Sequence, residues 1–380
     1  MRELMNSYRC EWRGPVELKS GLGNASRAYV RGLRRQGINV QVGAGALKHS
    51  GSRRSAVKKV LICHVPPNHV HVKEERKHYD YVILNTVWET TQIPNRWKPH
   101  MNKFDAVFVP TRHNKEALRK SGVKVPIFIV PHGVDTKEYR PGNPKLNIPE
   151  RKGRFVFVSV FGFQHRKNPE GLLRAYWEEF SASDSVLLVI KTKGYSSREN
   201  EAWIKQRIIQ YKKKLGLGKS TAPVKVIGRE ISPGQLKGIF TLGDAFVLPT
   251  RGEGVGMPFL EAMASGIPVI ATGWGGHMDF LNSRNSFLVK YVLQNPAVGM
   301  RSGHAISRKF HELFAQQGQL WAEPRLQSLK KQMRTAYQNP LLCKMKGRQG
   351  RQDVLGLSWD RSGRMMKQAI EQVIGRKKKK

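Results

Sequence analysis

The sequence predicts an α/β chain built from two doubly wound units, and three features predict it. Apolar runs of strand length recur and alternate with polar segments of helical periodicity; glycine-rich turns follow several runs; and a Pro- and Gly-dense stretch near residue 140 divides the alternation into two series. Because the runs are apolar throughout rather than at every second position, they fit parallel strands covered by helices. A length of 380 residues with a hydrophobic fraction of 39% leaves room for two sizeable cores.

In the first series, Gly21-Leu-Gly-Asn24 precedes a helix over Ala25–Leu33, whose Ala28, Val30 and Leu33 share a face, and Gly37–Val42 then alternates as a strand. Residues 43–55 are small, polar and basic and read as a surface loop. Val57–Cys63, Tyr81–Asn85, Ala106–Val109 and Pro126–Val130 are further strands. Residues 1–135 are thus expected as an N-terminal Rossmann-like domain, followed by a Pro- and Gly-rich linker over 136–153.

The second series, a Rossmann-like domain over 154–350, opens with strand Arg154–Ser159 and helix Asn168–Phe180. Strand Val186–Lys191, helix Glu201–Leu215, strand Val224–Ile227 and a short helix near Gly234–Phe240 come next. Strand Ala245–Leu248, helix Pro258–Ser265 and strand Pro268–Ala271 complete the alternation. From about residue 300 the pattern is weakly helical, interrupted at Leu320–Pro324, and it ends in a helix over 351–375 and a basic tail, 376–380.

The longest apolar runs, Phe155–Phe161 and Val186–Ile190, fall far short of the roughly 20 residues that cross a bilayer. The first residues lack the apolar core of a secretory signal, and the widely spaced Cys10, Cys63 and Cys343 suit a reducing compartment rather than a disulfide framework or a zinc site. A cytoplasmic location, in a bacterium or a phage-infected cell, is expected. Lys and Arg number 67 against 28 Asp and Glu, a net charge of +39. A one-sign excess of that size repels itself and points to a polyanionic partner. It is spread out: residues 1–150 hold 27 basic and 12 acidic side chains, and residues 301–380 hold 19 and 5. The residues carry no signal of an oligomeric state.

In doubly wound sheets, ligands bind outside the carboxyl ends of the strands, so the loops after strands are where chemistry is sought. After Phe155–Phe161 come Gly162, the adjacent cations Arg166 and Lys167, then Asn168 as N-cap and Pro169 in the first helical turn. Unpaired N–H groups at a helix start, beside two cations, make a seat for a pyrophosphate; two solvated cations are the plainer reading of the same residues. After Ala245–Leu248 comes Arg251-Gly-Glu-Gly-Val-Gly-Met-Pro258, whose glycines permit close backbone approach. Glu253 lies in this loop and Glu261 in the first helical turn. Each carboxylate can accept two hydroxyls, which suits a ribose diol or a sugar ring. The residues alone equally allow an acid/base pair flanking one glycosidic bond, which leaves the phosphate seat unexplained.

Glu253 and Glu261 with seven residues between them, the following Ala264–Ile270 block, His132-Gly-Val-Asp135, the Arg166-Lys-Asn-Pro169 helix entry and Gly275-Gly276 resemble the family-four, or group 1, retaining glycosyltransferases. The resemblance covers most of residues 80–375 and extends to viral DNA-modifying enzymes of the same fold type. It implies a GT-B fold, two Rossmann-like domains facing across a cleft, and a C-terminal helix that crosses back to the first domain. Lys167 and Arg166 would hold the diphosphate of a nucleotide-sugar donor, a UDP sugar being favoured. Glu253 would bind the sugar and Glu261 the ribose, while Gly162 and the backbone of Val255, Gly256, Met257 and Pro258 line the seat. Gly21 and Gly23 match the glycine loop that closes on the diphosphate. No metal or other cofactor is implied.

The chain departs from the family pattern at Gly162-Phe163, where many relatives have Gly-Arg, which leaves Arg166 as the substitute. A family histidine after the fourth strand of the first domain is absent at Thr86–Thr91, making Glu89 the positional candidate and His64 its competitor. For the acceptor, the charge favours DNA, most of all a hydroxymethylated base, with Arg53, Arg54, Lys58, Lys59, Arg34 and Arg35 tracking phosphates and Trp88 or Trp97 stacking on a base. The alternative is an anionic lipid or envelope polymer at a membrane face, for which a localised basic amphipathic surface helix is expected. A silent nucleic-acid-binding relative is a third reading, which the intact donor loop opposes.

Overall fold

The computed structural model describes residues 8–43, 57–218, 220–301, 305–307 and 310–377. The chain divides into two compact units, Met1–Gly133 with Gly356–Lys380, and Val134–Leu355. In the first, β1 (Tyr8–Arg13), β2 (Val40–Val42), β3 (Lys58–Cys63), β4 (Tyr81–Asn85), β5 (Ala106–Val109) and β6 (Ile127–Ile129) form one sheet in the order β2-β1-β3-β4-β5-β6. All its pairings are parallel. The winding reverses between β1 and β3, and it is at the carboxyl ends of such a reversal that doubly wound sheets in general take ligands.

The helix Gly21–Arg35 starts at Ser20, whose hydroxyl accepts from the Gly23 amide (3.2 Å), and ends with Arg34 and Arg35 against the negative pole of its dipole. Its Ala25, Tyr29, Val30 and Leu33 join a core with Cys10, Trp12, Val60 and Ile62 from the sheet and Met366, Ala369, Ile370 and Val373 from the helix Trp359–Lys377. The two helices cross where neither has a side chain: a Cβ on Gly363 would lie 2.4 Å from the Gly32 carbonyl oxygen.

In the second unit, β7 (Phe155–Gly162), β8 (Val186–Lys193), β9 (Val224–Ile227), β10 (Ala245–Leu248), β11 (Val269–Thr272) and β12 (Ser286–Val289) form a parallel sheet in the order β12-β11-β10-β7-β8-β9. Counted within the unit, this is the 3-2-1-4-5-6 order of a dinucleotide-binding sheet, and the winding reverses between β7 and β10. Residues 136–153, expected as a linker, belong to this unit: the Leu146 amide donates to the Gly238 carbonyl (3.0 Å) and Tyr139 packs edge-on against Phe240 (5.7 Å).

The interruption expected at Leu320–Pro324 is a strand: Trp321–Pro324 is β14, between the helices His311–Phe314 and Leu326–Gln338, and it pairs antiparallel with β13 (Tyr291–Gln294). Trp321 and Ala322 are fully buried, and the Ala322 amide donates to the Arg251 carbonyl (2.9 Å). A two-stranded ribbon whose partners lie about thirty residues apart leaves no short-range signature.

Candidate functional site at the switch point of the second sheet

The loops after β7 and β10 meet at the switch point. After β7, one turn of 3-10 helix, His165–Lys167, runs into Asn168, which adopts left-handed backbone geometry (φ 58°) and caps the helix Pro169–Glu179 by accepting from the Gly171 amide (3.0 Å). Asn is among the few non-glycine residues that take this conformation readily. Its Nδ2 donates to the Pro249 carbonyl (3.0 Å) at the end of β10. The Arg251 amide (2.8 Å) and the Thr250 hydroxyl (3.0 Å) both donate to the Arg166 carbonyl, so the two loops are one hydrogen-bonded body.

This body gathers Arg166, Lys167 and Glu253. The Lys167 ammonium donates to Glu253 Oε1, and the Arg166 guanidinium donates to Glu253 Oε2 (3.1 Å) and to the Gly252 carbonyl (2.5 Å). Relative exposures of 9% for Arg166, 8% for Lys167 and 4% for Glu253 put all three charges in a poorly solvated place. Burial alone would raise the Glu253 carboxyl; Lys167 and Arg166 overcome it and hold the group down at about 2. Two cations against one carboxylate leave this cluster with a net positive charge, ready for an anion.

A second buried network braces the loop. Arg251 donates to Glu170 Oε1 (2.8 Å) and to the His165 carbonyl (2.7 Å), and forks onto Glu323 (2.5 and 3.1 Å). Glu170 also takes His165 Nδ1 (2.5 Å). On the other side, the Gly276 amide donates to the Glu253 carbonyl (2.7 Å), and buried His277 bonds the Thr272 carbonyl through Nε2 (2.7 Å). Sequence reasoning missed Glu170, Glu323 and His277; Glu323 lies 72 positions from Arg251, with no local sign of the pairing.

The helix Met257–Ala264 starts at Gly256 (φ 82°), where a Cβ would stand 2.4 Å from the Phe259 ring. No side chain caps this helix start; Pro258 in its first turn has no N–H, and the Phe259 amide donates to the Gly256 carbonyl (2.9 Å). Glu261, accessible along one edge and otherwise enclosed, is raised to about 7 by burial, partly offset by a hydrogen bond from Tyr139. Gly162 ends β7, and a Cβ there would lie 2.2 Å from the Tyr195 hydroxyl. Arg166, Lys167 and Glu253 are thus in direct contact, while Gly162 lies at the end of β7 and Val255–Pro258 and Glu261 lie in the segment that follows β10.

His64 directly follows β3, the strand beside β1, and its Nδ1 shares a hydrogen with Ser26 Oγ (2.7 Å). Burial, with a contribution from His132, lowers it to about 3, so it is neutral at physiological pH. Glu89, partly buried, follows β4, one strand further from the switch point. Gly21 and Gly23 open the helix Gly21–Arg35; a Cβ on Gly23 would lie 2.0 Å from the Leu18 carbonyl oxygen, so this glycine is required by packing. Arg53 and Arg54 lie outside the described residues. The stacking role expected of Trp88 is corrected. Trp88 is 1% exposed, its indole donates to Thr90 (2.8 Å) and the Gln92 carbonyl (2.6 Å), and it packs edge-on against buried Trp97 (4.9 Å). Both faces are core.

Among the described residues no group of three or more His, Cys, Asp or Glu side chains is placed to hold a metal ion, and no helix is long and apolar enough to cross a membrane. Residues 152–294 match the family described as Glycosyl transferases group 1. Alpha-monoglucosyldiacylglycerol synthase of Streptococcus pneumoniae is 20% identical over 270 residues, 66% of this chain and 58% of that protein. D-inositol 3-phosphate glycosyltransferase of Rhodococcus erythropolis is 31% identical over 153 residues, 40% of this chain and 34% of that protein. The chain thus spans from a third to somewhat over half the length of these relatives. Among solved structures, sucrose-phosphate synthase of Thermosynechococcus elongatus superposes with a TM-score of 0.69 at 15% identity, covering 97% of this chain and 99% of the other. HepE of Anabaena, in complex with UDP and glucose, superposes with a TM-score of 0.66 at 12% identity, covering 96% and 99%. At such identities the likeness is one of fold.

Proposed function

Starting from a chain of GT-B fold whose residues 152–294 are a glycosyl transferases group 1 domain, we propose that it transfers a sugar from a nucleotide-diphosphate sugar, a UDP sugar being favoured, with retention of anomeric configuration. The observation that carries the reading is the buried Arg166–Lys167–Glu253 cluster at the switch point, with Glu261 one helical turn into the adjoining helix. The diphosphate takes up the two cations, Glu253 accepts sugar hydroxyls, and Glu261 accepts the ribose diol. In transfer, the bond between the anomeric carbon and the phosphate oxygen breaks, and the acceptor oxygen bonds that carbon on the same face. The acceptor's proton passes to the departing phosphate. Lys167 and Arg166 stabilise the charge that builds on the leaving group, in a place where water is scarce and their effect is large.

The acceptor is best sought at an anionic membrane surface. The relatives' printed names include a diacylglycerol glycolipid synthase and a lipopolysaccharide core mannosyltransferase. The helix Pro340–Val354 presents Leu341 (75% exposed) and Met345 (66%), one turn apart, beside exposed Lys344 and Arg348. That is the apolar and basic stripe an anionic interface would hold. The breadth of the +39 charge favours DNA as a second reading, which loses the stacking residues Trp88 and Trp97 to the core. The test is incubation with UDP sugars and either anionic lipid vesicles or 5-hydroxymethylcytosine DNA, read by UDP release and product mass. Transfer to lipid alone supports the first reading and transfer to DNA alone the second. A protein that releases no UDP with any acceptor or with water contradicts the transferase reading.

A further inference from the structure

We propose that the carboxyl ends of β11 and β12 form an anion-binding acceptor subsite, in which Lys290 and Arg325 receive a phosphate or carboxylate group carried by the sugar acceptor. The inference rests on the donor seat proposed above and adds a property of the second substrate. A cavity of about 600 Å³ opens there, lined by Gly273, Leu288, Val289, Lys290, Tyr291 and Arg325. Its two charges are both positive, and no acidic side chain lines it. Among the described residues, neither Lys290 nor Arg325 forms an ion pair with a carboxylate, and both are exposed. Nearly every cation of the donor body, by contrast, is spoken for.

The β13–β14 ribbon brings these two cations together. Its antiparallel register sets Tyr291 opposite Pro324, so the residues just outside the ribbon, Lys290 and Arg325, are neighbours although 35 positions separate them. The Arg325 amide donates to the Lys290 carbonyl (2.7 Å), and the Lys290 amide donates to Ser328 Oγ (2.9 Å), which fixes both backbones. Gly273 adds no side chain to the cavity and is itself held by a hydrogen bond to the Val289 carbonyl (3.0 Å).

The position follows from the sheet order. The diphosphate seat lies after β7, Glu253 lies after β10, and β11 and β12 are the next strands along the same edge. Neighbouring strands are about 5 Å apart, so the cavity stands about 5–10 Å beyond the Glu253 loop. Along that edge the order is diphosphate seat, Glu253 loop, cavity, so an anion held by Lys290 and Arg325 lies on the side of the Glu253 loop away from β7. A guanidinium beside an ammonium suits an oxyanion that can be gripped by two donors.

The test is calorimetric titration of the UDP-saturated protein with glycerol 3-phosphate, with glycerol as the uncharged counterpart, at one fixed salt concentration. Glycerol 3-phosphate binds and glycerol does not. Lys290→Gln with Arg325→Gln weakens that binding about tenfold or more, the loss of two charge-assisted contacts, and leaves UDP affinity unchanged. A matched variant at exposed remote sites, Lys103→Gln with Lys213→Gln, leaves both affinities unchanged. The proposal is overturned if UDP-saturated wild type ignores glycerol 3-phosphate, if the remote variant loses as much as the cavity variant, or if the cavity variant loses UDP. Failure of wild type to bind UDP at all would strike the donor reading instead, and with it the subsite's role towards an acceptor.

Discussion

The two sheets have the same number of parallel strands and each reverses its winding once, yet the buried groups at the two reversals differ in chemistry. In the second unit the crevice holds buried charges, Arg166 and Lys167 on Glu253 and Arg251 between Glu170 and Glu323. In the first, the face toward Tyr29 holds neutral groups: Trp12 and His64 meet edge-on at 5.4 Å, Ser26 bonds His64, and His132 packs against Tyr29, while Arg13 at the end of β1 pairs with Glu11 (3.2 Å) and Glu75. Fold alone therefore says where a ligand goes and leaves open what it is. The charged crevice suits a diphosphate; the neutral face of the other suits hydroxyls and an uncharged ring.

The largest expected effect breaks the charged side. Glu253→Ala leaves two buried cations without their carboxylate, which costs about 3–5 kcal/mol of stability, seen as a lower unfolding midpoint in denaturant. The milder Glu253→Gln keeps the shape and lowers UDP release by about 10²–10³-fold. If Glu253→Gln were fully active, the carboxylate would have no part in transfer.

Next in size is the response to acid, where both crevices lose stability as pH falls but mainly in different pH windows. His64 and His132 are lowered to about 3 and about 4 by burial. Unfolded, they take up protons near pH 6.5, so the first unit's stability is full above that pH and falls as pH drops below it, by about 1.4 kcal/mol per pH unit for each histidine. Glu253, depressed to about 2, contributes stability above its unfolded value near 4.3 that is lost only as pH falls further. Buried His277 in the second crevice is lowered in the same way, one histidine against two, so hydrogen-exchange protection of β1 and β3 should decline more steeply between pH 6.5 and 4.5 than that of β7 and β10. Equal decline would refute the neutral-histidine account.

A third difference is confined to ligand binding. Glu261 sits near 7, and ribose hydroxyls donate to its charged form, so UDP binding should strengthen as pH rises from 6 to 7 and level off above. Below pH 7 binding should release close to one proton, measured by calorimetry in two buffers of different ionisation heat, and Glu261→Gln should abolish the release. Smallest of all is the exposed Arg35–Asp360 pair (2.8 Å) between the two crossing helices of the first unit. Asp360→Asn should move stability by no more than about 0.5 kcal/mol, in contrast with the buried Glu253 cluster.

Much of this was legible in the sequence because the informative residues are close together in the chain. The spacing of Glu253 and Glu261, the Arg166-Lys-Asn-Pro169 entry and the apolar runs of β7, β8 and β10 each lie within one strand–loop–helix segment. The contacts that connect segments were not legible. Glu323 reaches Arg251 through a ribbon closed over some thirty residues, and Tyr139 reaches Glu261 from a stretch whose Pro and Gly content reads as linker. Trp88 shows the same limit in reverse: an aromatic beside polar residues reads as an exposed stacking platform until Trp97 and Thr90 are seen to enclose it. Likewise β1 and β12, short and mixed in composition, become strands because a neighbour on the sheet pairs with them.

The central claim is that the charged crevice of the second unit is the donor seat, and equilibrium binding of UDP tests it most directly. Wild type should bind UDP, Lys167→Ala and Arg166→Ala should each weaken it by tenfold or more through loss of a buried charge-assisted contact, and His64→Ala should leave it unchanged. UDP affinity that survived Lys167→Ala and Arg166→Ala but fell with His64→Ala would contradict the account.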